Sequence, residues 1–311
     1  MKIKRTLLPL LLISLMLLCG CSANKFVVKQ ASKMLSSGES TVFLGDEDPE
    51  LIKDALPFSM KIYETLLESN PDDPALLLAT AKVFIFYSFA FLQTPAEQMP
   101  DTRINEKLET LQRAKKMYLR SRSYLFRAME ARHTGFTNSI KENKMDELLT
   151  KCKKDDAPYL YWIGMSWMAA FTTDSFDMSL SVSSPKAVKL ISKVLELDET
   201  LENGGAHEFF ISYYGSLPAA MGGSEKKARE HFKKALEISK GANASTYLAL
   251  ATSVAVNNQD KREFLSLLEQ ALNVDIEKSP STKTLNIISQ RKAKWLVEHV
   301  DDIIYPNKGD Y

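Results

Sequence analysis

The sequence predicts an all-α protein, and three observations carry that prediction. Helix-start signals recur along the chain, apolar residues fall at helical spacing, and no convincing strand alternation appears. Asp48-Pro49, Asp73-Pro74 and Ser184-Pro185 each set a capping side chain before a proline at the first helical position. Asp156-Ala157-Pro158 is a looser version of the same signal. In chain order, helices are expected over 49–69, 74–92, 103–132, 138–151, 157–172, 185–197, 203–214, 224–239, 244–256, 260–273 and 281–299. A short helix within 22–45 brings the number to eleven or twelve. The joints carry Gly, Pro, Asn and Asp, as in Asn70-Pro71-Asp72-Asp73 and Gly222-Gly223, and short joints favour antiparallel neighbours.

Internal similarity refines the class. Lys186-Ala187 through Leu195-Glu196-Leu197-Asp198 aligns with Lys227-Ala228 through Leu236-Glu237-Ile238-Ser239. The pattern Ala228-x-x-x-Phe232-x-x-Ala235-Leu236-Glu237 resembles the second helix of a tetratricopeptide repeat, and Ala271-Leu272 and Tyr63-x-x-Leu66-Leu67-Glu68 echo it. The alanines let helices approach closely and the aromatic fills the gap between pairs. Spacing is irregular, so these are degenerate repeats that stack because no single pair can bury its apolar face alone.

The front of the chain predicts an address. Lys2, Lys4 and Arg5 precede the apolar run Leu7 to Leu18, and Leu18-Cys19-Gly20-Cys21 looks like a bacterial lipobox. Twelve apolar residues fall short of the about 20 that span a bilayer. The expectation is therefore a signal peptide over 1–20, lipid attachment at Cys21 and a tether over 21–45. A single helical domain over 46–305 and a tail over 306–311 follow. Ser22, where Asp is absent, fits sorting to the inner leaflet of the outer membrane in a diderm bacterium.

Composition narrows the function. Lys+Arg is 40 against 39 Asp+Glu, and loss of the three signal-peptide cations leaves a mature net charge of −2. That balance argues against nucleic acid as a partner. At 45% apolar and 25% charged the chain reads as an ordinary globular body. His133, His207, His231 and His299 are scattered outside any metal-binding pair, and no nucleophile elbow, phosphate-binding loop or zinc-type cysteine cluster occurs. His231 reads as a surface histidine. Asp155-Asp156 and Asp301-Asp302 sit at helix boundaries, complementing a dipole or staying solvated. No catalytic residue, metal or cofactor is assigned, and the chain is not expected to be an enzyme. Cys152, among Lys151, Lys153 and Lys154, is either made reactive by those cations or an inert helix-end thiol; the inert reading is preferred. Gly222-Gly223-Ser224 is read as a tight turn with Ser224 as cap rather than an anion nest.

Two segments stand out for hydrophobicity. Leu76 to Leu92 contains Phe84, Tyr87 and Phe91, and Tyr159 to Phe171 contains Trp162 and Trp167. A helix apolar on all sides is buried on all sides or faces an apolar cavity on one. Length alone would let the first span a membrane, but Lys82 and the capped helices around it argue for core.

The most specific stretch runs from Asn203 to Trp295. It joins Gly204-Gly205-Ala206-His207, Tyr213-Tyr214-Gly215-Ser216-Leu217-Pro218-Ala219-Ala220-Met221-Gly222-Gly223-Ser224, the Ala228 repeat helix, and Leu285-Asn286-x-x-x-Gln290-Arg291-x-Ala293-x-Trp295-Leu296. Together with Ala55-Leu56-Pro57 and Leu67-Glu68-Ser69-Asn70-Pro71-Asp72, it resembles the T component (TatT) of tetratricopeptide-repeat-associated TRAP transporters. The resemblance covers nearly all of the mature chain. It implies a periplasmic lipoprotein that docks the substrate-binding TRAP subunit, forms trimers, and has an apolar pore that holds or hands over a hydrophobic or organic-acid ligand. Phe84, Tyr87, Phe91, Trp162, Trp167, His207, Tyr213 and Tyr214 are the expected lining, with Gly204, Gly205, Gly222 and Gly223 as turns around it. The alternative is an outer-membrane assembly or scaffolding lipoprotein with similar repeats and no small ligand.

Overall fold

The structure, a computed structural model, describes residues 41–305. The signal segment, Cys21, the tether before residue 41 and the tail from residue 306 lie outside the described residues. Among the described residues all regular structure is helical. The first elements are α1 (Thr41–Leu44), α2 (Pro49–Ser69) and α3 (Pro74–Ser88). The last runs through a π-helical turn (Phe89–Gln93) into α4 (Thr94–Glu97). Then come α5 (Ile104–Arg132), α6 (Phe136–Lys141), α7 (Met145–Lys151), α8 (Ala157–Thr173) and α9 (Met178–Asp198). The remainder is α10 (Leu201–Ser216), α11 (Glu225–Ser239), α12 (Ala244–Leu250) with a second π-helical turn (Ala251–Ala255), α13 (Lys261–Leu272), α14 (Lys283–Glu298) and α15 (Val300–Ile303).

The expected caps at Asp48 and Asp73 are in place. Each aspartate accepts from two free N–H groups of the first turn, and proline takes the position whose N–H would be idle. Ser224 caps α11 in the same way through the Lys227 N–H. The cap expected at Ser184-Pro185 is not one. Helix α9 starts seven residues earlier, with the Asp177 side chain accepting from the N–H groups of Ser179 and Leu180. Pro185 sits inside the helix, where its missing N–H leaves the Ser181 carbonyl without an intrahelical partner. The Ser184 hydroxyl donates to that carbonyl at 2.9 Å, which is why the proline is tolerated. The single helix expected over 138–151 is also divided, at Asn143, whose φ of 58° ends α6 before α7 begins.

Helices follow one another around the molecule, each packed on its neighbour. α3 lies along α5, α5 along α8, α8 along α9, and α10 along α11, while α12, α13 and α14 close the sequence. Gly164 lets α8 meet α9: a Cβ there would overlap the Ile191 side chain. In the repeat-like helices Ala228, Ala235 and Ala271 are fully or almost fully buried, as the spacing required. α14 then returns to the start of the array. The Thr284 hydroxyl lies 2.9 and 2.7 Å from the carbonyl oxygens of Phe43 and Asp46, donating to one at a time. Lys292 donates to Glu97 at 2.9 Å and Arg291 to Glu50 at 3.1 Å. Behind this seam Tyr118 donates to Gln93, and Gln93 to Glu97, so the π-helical turn is tied to α5 and to α14.

Two apolar clusters make up the core. One gathers side chains from α2 through the middle of α10, and the other from Ile211 to Ile304. Tyr214 packs against both. Pro74 to Glu97 is long and apolar enough to cross a membrane. Its Lys82 instead donates to Glu202 of α10, and Leu76, Leu77 and Ala81 are wholly buried against neighbouring helices. It is the core helix the sequence argued for.

Candidate functional site

Helices α3, α8 and α12 are apolar around most of their circumference, so each is covered on more than one side. Three of the expected lining residues are committed to helix contacts. Phe84 lies under Arg120 and beside Tyr124 of α5, and Tyr87 lies under Arg113 of the same helix. The Trp167 indole donates to Ser183 of α9 at 3.1 Å and is covered by Arg122. All three are buried. Phe91 is only partly buried, edge-on to Phe86.

Trp162 stands differently. Half-buried on α8, it donates from Nε1 to Glu202 Oε1 at 3.0 Å, and Lys82 both shares that oxygen at 2.8 Å and lies over the indole ring. A cation, a carboxylate and an aromatic edge from three helices therefore meet at one partly exposed place. Glu202 is delivered there by an unusual backbone: Glu202, Asn203 and Gly204 all have positive φ, at 49°, 55° and 85°, before α10 becomes regular. Only glycine takes this conformation freely, which is the local reason for Gly204. Gly205 is required by contact instead, since a Cβ would overlap the Tyr161 hydroxyl.

Next along α10 is an aromatic cluster. Phe209 stacks on Tyr213, Phe210 on Tyr214, and His231 of α11 on both Phe210 and Tyr214. Lys227 covers the open face of Tyr214. His231, read from sequence as a surface histidine, and His207, expected in the lining, approach to 2.8 Å between their Nδ1 atoms. At that distance one ring carries the bridging proton and the other accepts it. Burial, with the neighbouring His207 and Lys227 adding to it, pulls the His231 pKa down to about 4. Burial also lowers that of His207, opposed by the Glu199 carboxylate 3.4 Å from its Nε2. The pair is neutral at ordinary pH.

The hairpin between α10 and α11 explains the meeting. Ser224 N–H donates to the Tyr214 carbonyl at 2.9 Å across the turn, and His207 and His231 each lie seven residues further from it. Gly222 (φ 93°) and Gly223 form this turn; a Cβ on Gly223 would overlap the Leu217 carbonyl oxygen. On the other side of α10, Glu208 accepts from the hydroxyls of Ser245 and Thr246, each at 3.0 Å. Burial raises its pKa, with those hydroxyls opposing. Glu202 and Glu208 were not among the residues singled out from sequence.

A different region bears on two expectations, agreeing with the inert reading of Cys152 and contradicting the solvated reading of Asp156. Cys152 is not activated by its lysine neighbours: it is 6% exposed, and burial, with the Asp156 charge, pushes its thiol up to about 11. Asp156 is not solvated either. It is 2% exposed and receives Arg132 at 2.7 Å, His133 at 3.0 Å and the Lys153 N–H at 2.8 Å.

The outer surface carries an apolar patch. Phe176 is 95% exposed, and Met178 and Val182 follow it at the start of α9. Lys115 of α5 pairs with Asp174 at 2.8 Å and Asp177 at 2.6 Å, which fixes the segment that carries this patch against α5.

Fold and sites together define a helical scaffold that gathers aromatic, hydroxyl and carboxylate groups between its helices and leaves apolar side chains on its surface. The sequence pattern of the TRAP transporter T-component family matches residues 45–304, and the chain belongs to that family. It is also similar to an uncharacterized protein of Treponema pallidum (strain Nichols), 28% identical over 305 residues that cover 93% of this chain and 94% of the relative. Membership associates it with a TRAP transport system as an accessory subunit.

Proposed function

We propose that this protein is a lipid-anchored docking subunit that binds the solute receptor of a TRAP-type system and holds a hydrophobic or organic-acid ligand for hand-over. The exposed patch of Phe176, Met178 and Val182 carries the docking half of this reading. Large apolar side chains close together in sequence on an otherwise charged surface mark a protein contact. The family's trimer would need a further contact of the same kind, for which the exposed Leu51, Phe58 and Ile62 at helical spacing on α2 are suited.

For the ligand, the partly exposed Trp162, Phe91, Phe209 and Tyr213 offer apolar wall, and the Lys82–Glu202 pair offers a polar end. Phe84, Tyr87 and Trp167 are buried against neighbouring helices and are left out of this wall. His207 and Tyr214 set the position of Tyr213 through the stacked cluster. An acylated Cys21 would hold the scaffold at the periplasmic face of the outer membrane, since each buried CH₂ of an acyl chain adds about 0.8 kcal/mol. Cys21→Ser should release the protein from membranes; protein that stays bound contradicts the anchor.

The docking half is tested by exchanging the patch for charge. Phe176→Asp with Met178→Asp should abolish co-purification of the solute receptor from the native cells. The melting temperature should hardly change, because surface substitutions usually move stability by under about 0.5 kcal/mol. A double variant that still brings the receptor down contradicts this role for the patch. Native mass spectrometry of the intact protein reads the ligand half, and a chain with neither a bound ligand nor a co-purifying receptor would favour the scaffolding alternative.

A further inference from the structure

We propose that Cys152, His133 and Asp156 form a binding site for a thiophilic divalent cation of the zinc class. The cluster shares no residue with the docking patch or the proposed ligand wall, and does not depend on the transport reading. One donor atom from each residue falls within 4.8 Å of the other two, as required of groups that close on one ion. Three helix ends supply them: His133 closes α5, Cys152 closes α7, and Asp156 immediately precedes α8. Helix termini fixed by packing hold such donors better than a loop does.

The surrounding groups favour coordination. The Asp156 carboxylate is already oriented, with Arg132 on Oδ1 at 2.7 Å and the Lys153 N–H on Oδ2 at 2.8 Å. Arg132 is in turn laid over the Tyr159 ring. These contacts act on the carboxylate as outer-shell partners act in metal sites, fixing a ligand without occupying its free lone pair. His133 Nε2 donates to Oδ2 at 3.0 Å, so the two atoms are close enough for one ion to take the place of the shared proton. A thiolate and a carboxylate together cancel a divalent charge, which makes the neutral complex tolerable beside Arg132 and Lys193.

Sulfur, imidazole and carboxylate in one set select a borderline cation over magnesium or calcium, which prefer oxygen. The thiol proton leaves to solvent as the sulfur–metal bond forms, and neutral His133 gives up its Nε2–H hydrogen bond to Asp156, carrying its proton on Nδ1, as Nε2 and the carboxylate bind the ion. Three protein ligands leave one tetrahedral position. A cleft of about 480 Å³ adjoins the cluster, lined by His133 itself with Asn138, Ser139, Glu142, Glu147 and Lys151. That cleft gives entry to the ion and room for water in the fourth position.

Cobalt(II), which reports its own ligands by absorption, tests the site on the full-length protein. One equivalent should bind with the visible bands of a tetrahedral ion and a thiolate charge-transfer band in the near ultraviolet. Cys152→Ser should remove the charge-transfer band, and His133→Gln should weaken cobalt and zinc binding at least about tenfold. Zinc should raise the melting temperature of the parent protein and leave that of Cys152→Ser unchanged, with circular dichroism showing both variants folded. Binding that is absent, or equally tight in both variants, overturns the assignment.

Discussion

At the scale of single residues, helix caps were legible in the sequence and titratable partners were not. Asp48 and Asp73 announced themselves because a cap is a local event between residues two or three apart. The His207–His231 pair is separated by 24 residues and forms only when α10 and α11 fold back on each other. Its signal was present all the same, since both histidines are equidistant from a turn that the sequence did mark. The consequence is a pH dependence with a definite sign. His231 is neutral in the fold down to about pH 4, whereas a free histidine takes up a proton near pH 6.5. Below that pH the unfolded chain binds the extra proton first, so the native state loses stability as pH falls and regains it as pH rises. Thermal melts between about pH 6.5 and 5 should show this slope, and His231→Phe, which keeps the stacking on Phe210 and Tyr214, should flatten it. An unchanged slope in the variant would contradict the reading.

At the scale of elements, the sequence placed most helices well and misjudged the beginning of α9. Proline at the first helical position and proline inside a helix look alike unless something accommodates the freed carbonyl, and here the Ser184 hydroxyl does so. The π-helical turns at Phe89–Gln93 and Ala251–Ala255 had no counterpart in the periodicity, because one extra residue in a turn barely disturbs an all-apolar pattern. For the same reason the apolar run of α3 could not say which aromatics face a neighbour and which stay open. Phe84 and Tyr87 go to α5 because Arg120 and Arg113 cover them, a tertiary fact. The α10–α11 hairpin is the element whose glycines matter most. Gly223→Ala drives a Cβ into the Leu217 carbonyl, and overpacking of this kind costs about 1–3 kcal/mol. Calorimetry should show the melting temperature falling, while Gly222→Asn, a residue that accepts positive φ, should be milder. Equal melting of Gly223→Ala and the parent protein would mean that the turn relaxes freely.

At the scale of the whole molecule, degenerate repeats predicted stacked helices but gave no sign that the last would meet the first. Thr284, Arg291 and Lys292 make that junction, each bonding a residue more than 190 positions earlier. No local pattern encodes such contacts. The apolar patch of Phe176, Met178 and Val182 stands on the surface of that array, at the start of α9. Docking of a receptor is therefore the central claim, and affinity purification of tagged full-length protein from its own cells measures it most directly. The account predicts that the TRAP solute receptor is recovered with the parent protein and lost with Phe176→Asp and Met178→Asp together. Parent protein recovered without the receptor, after extraction gentle enough to keep both folded, would contradict it.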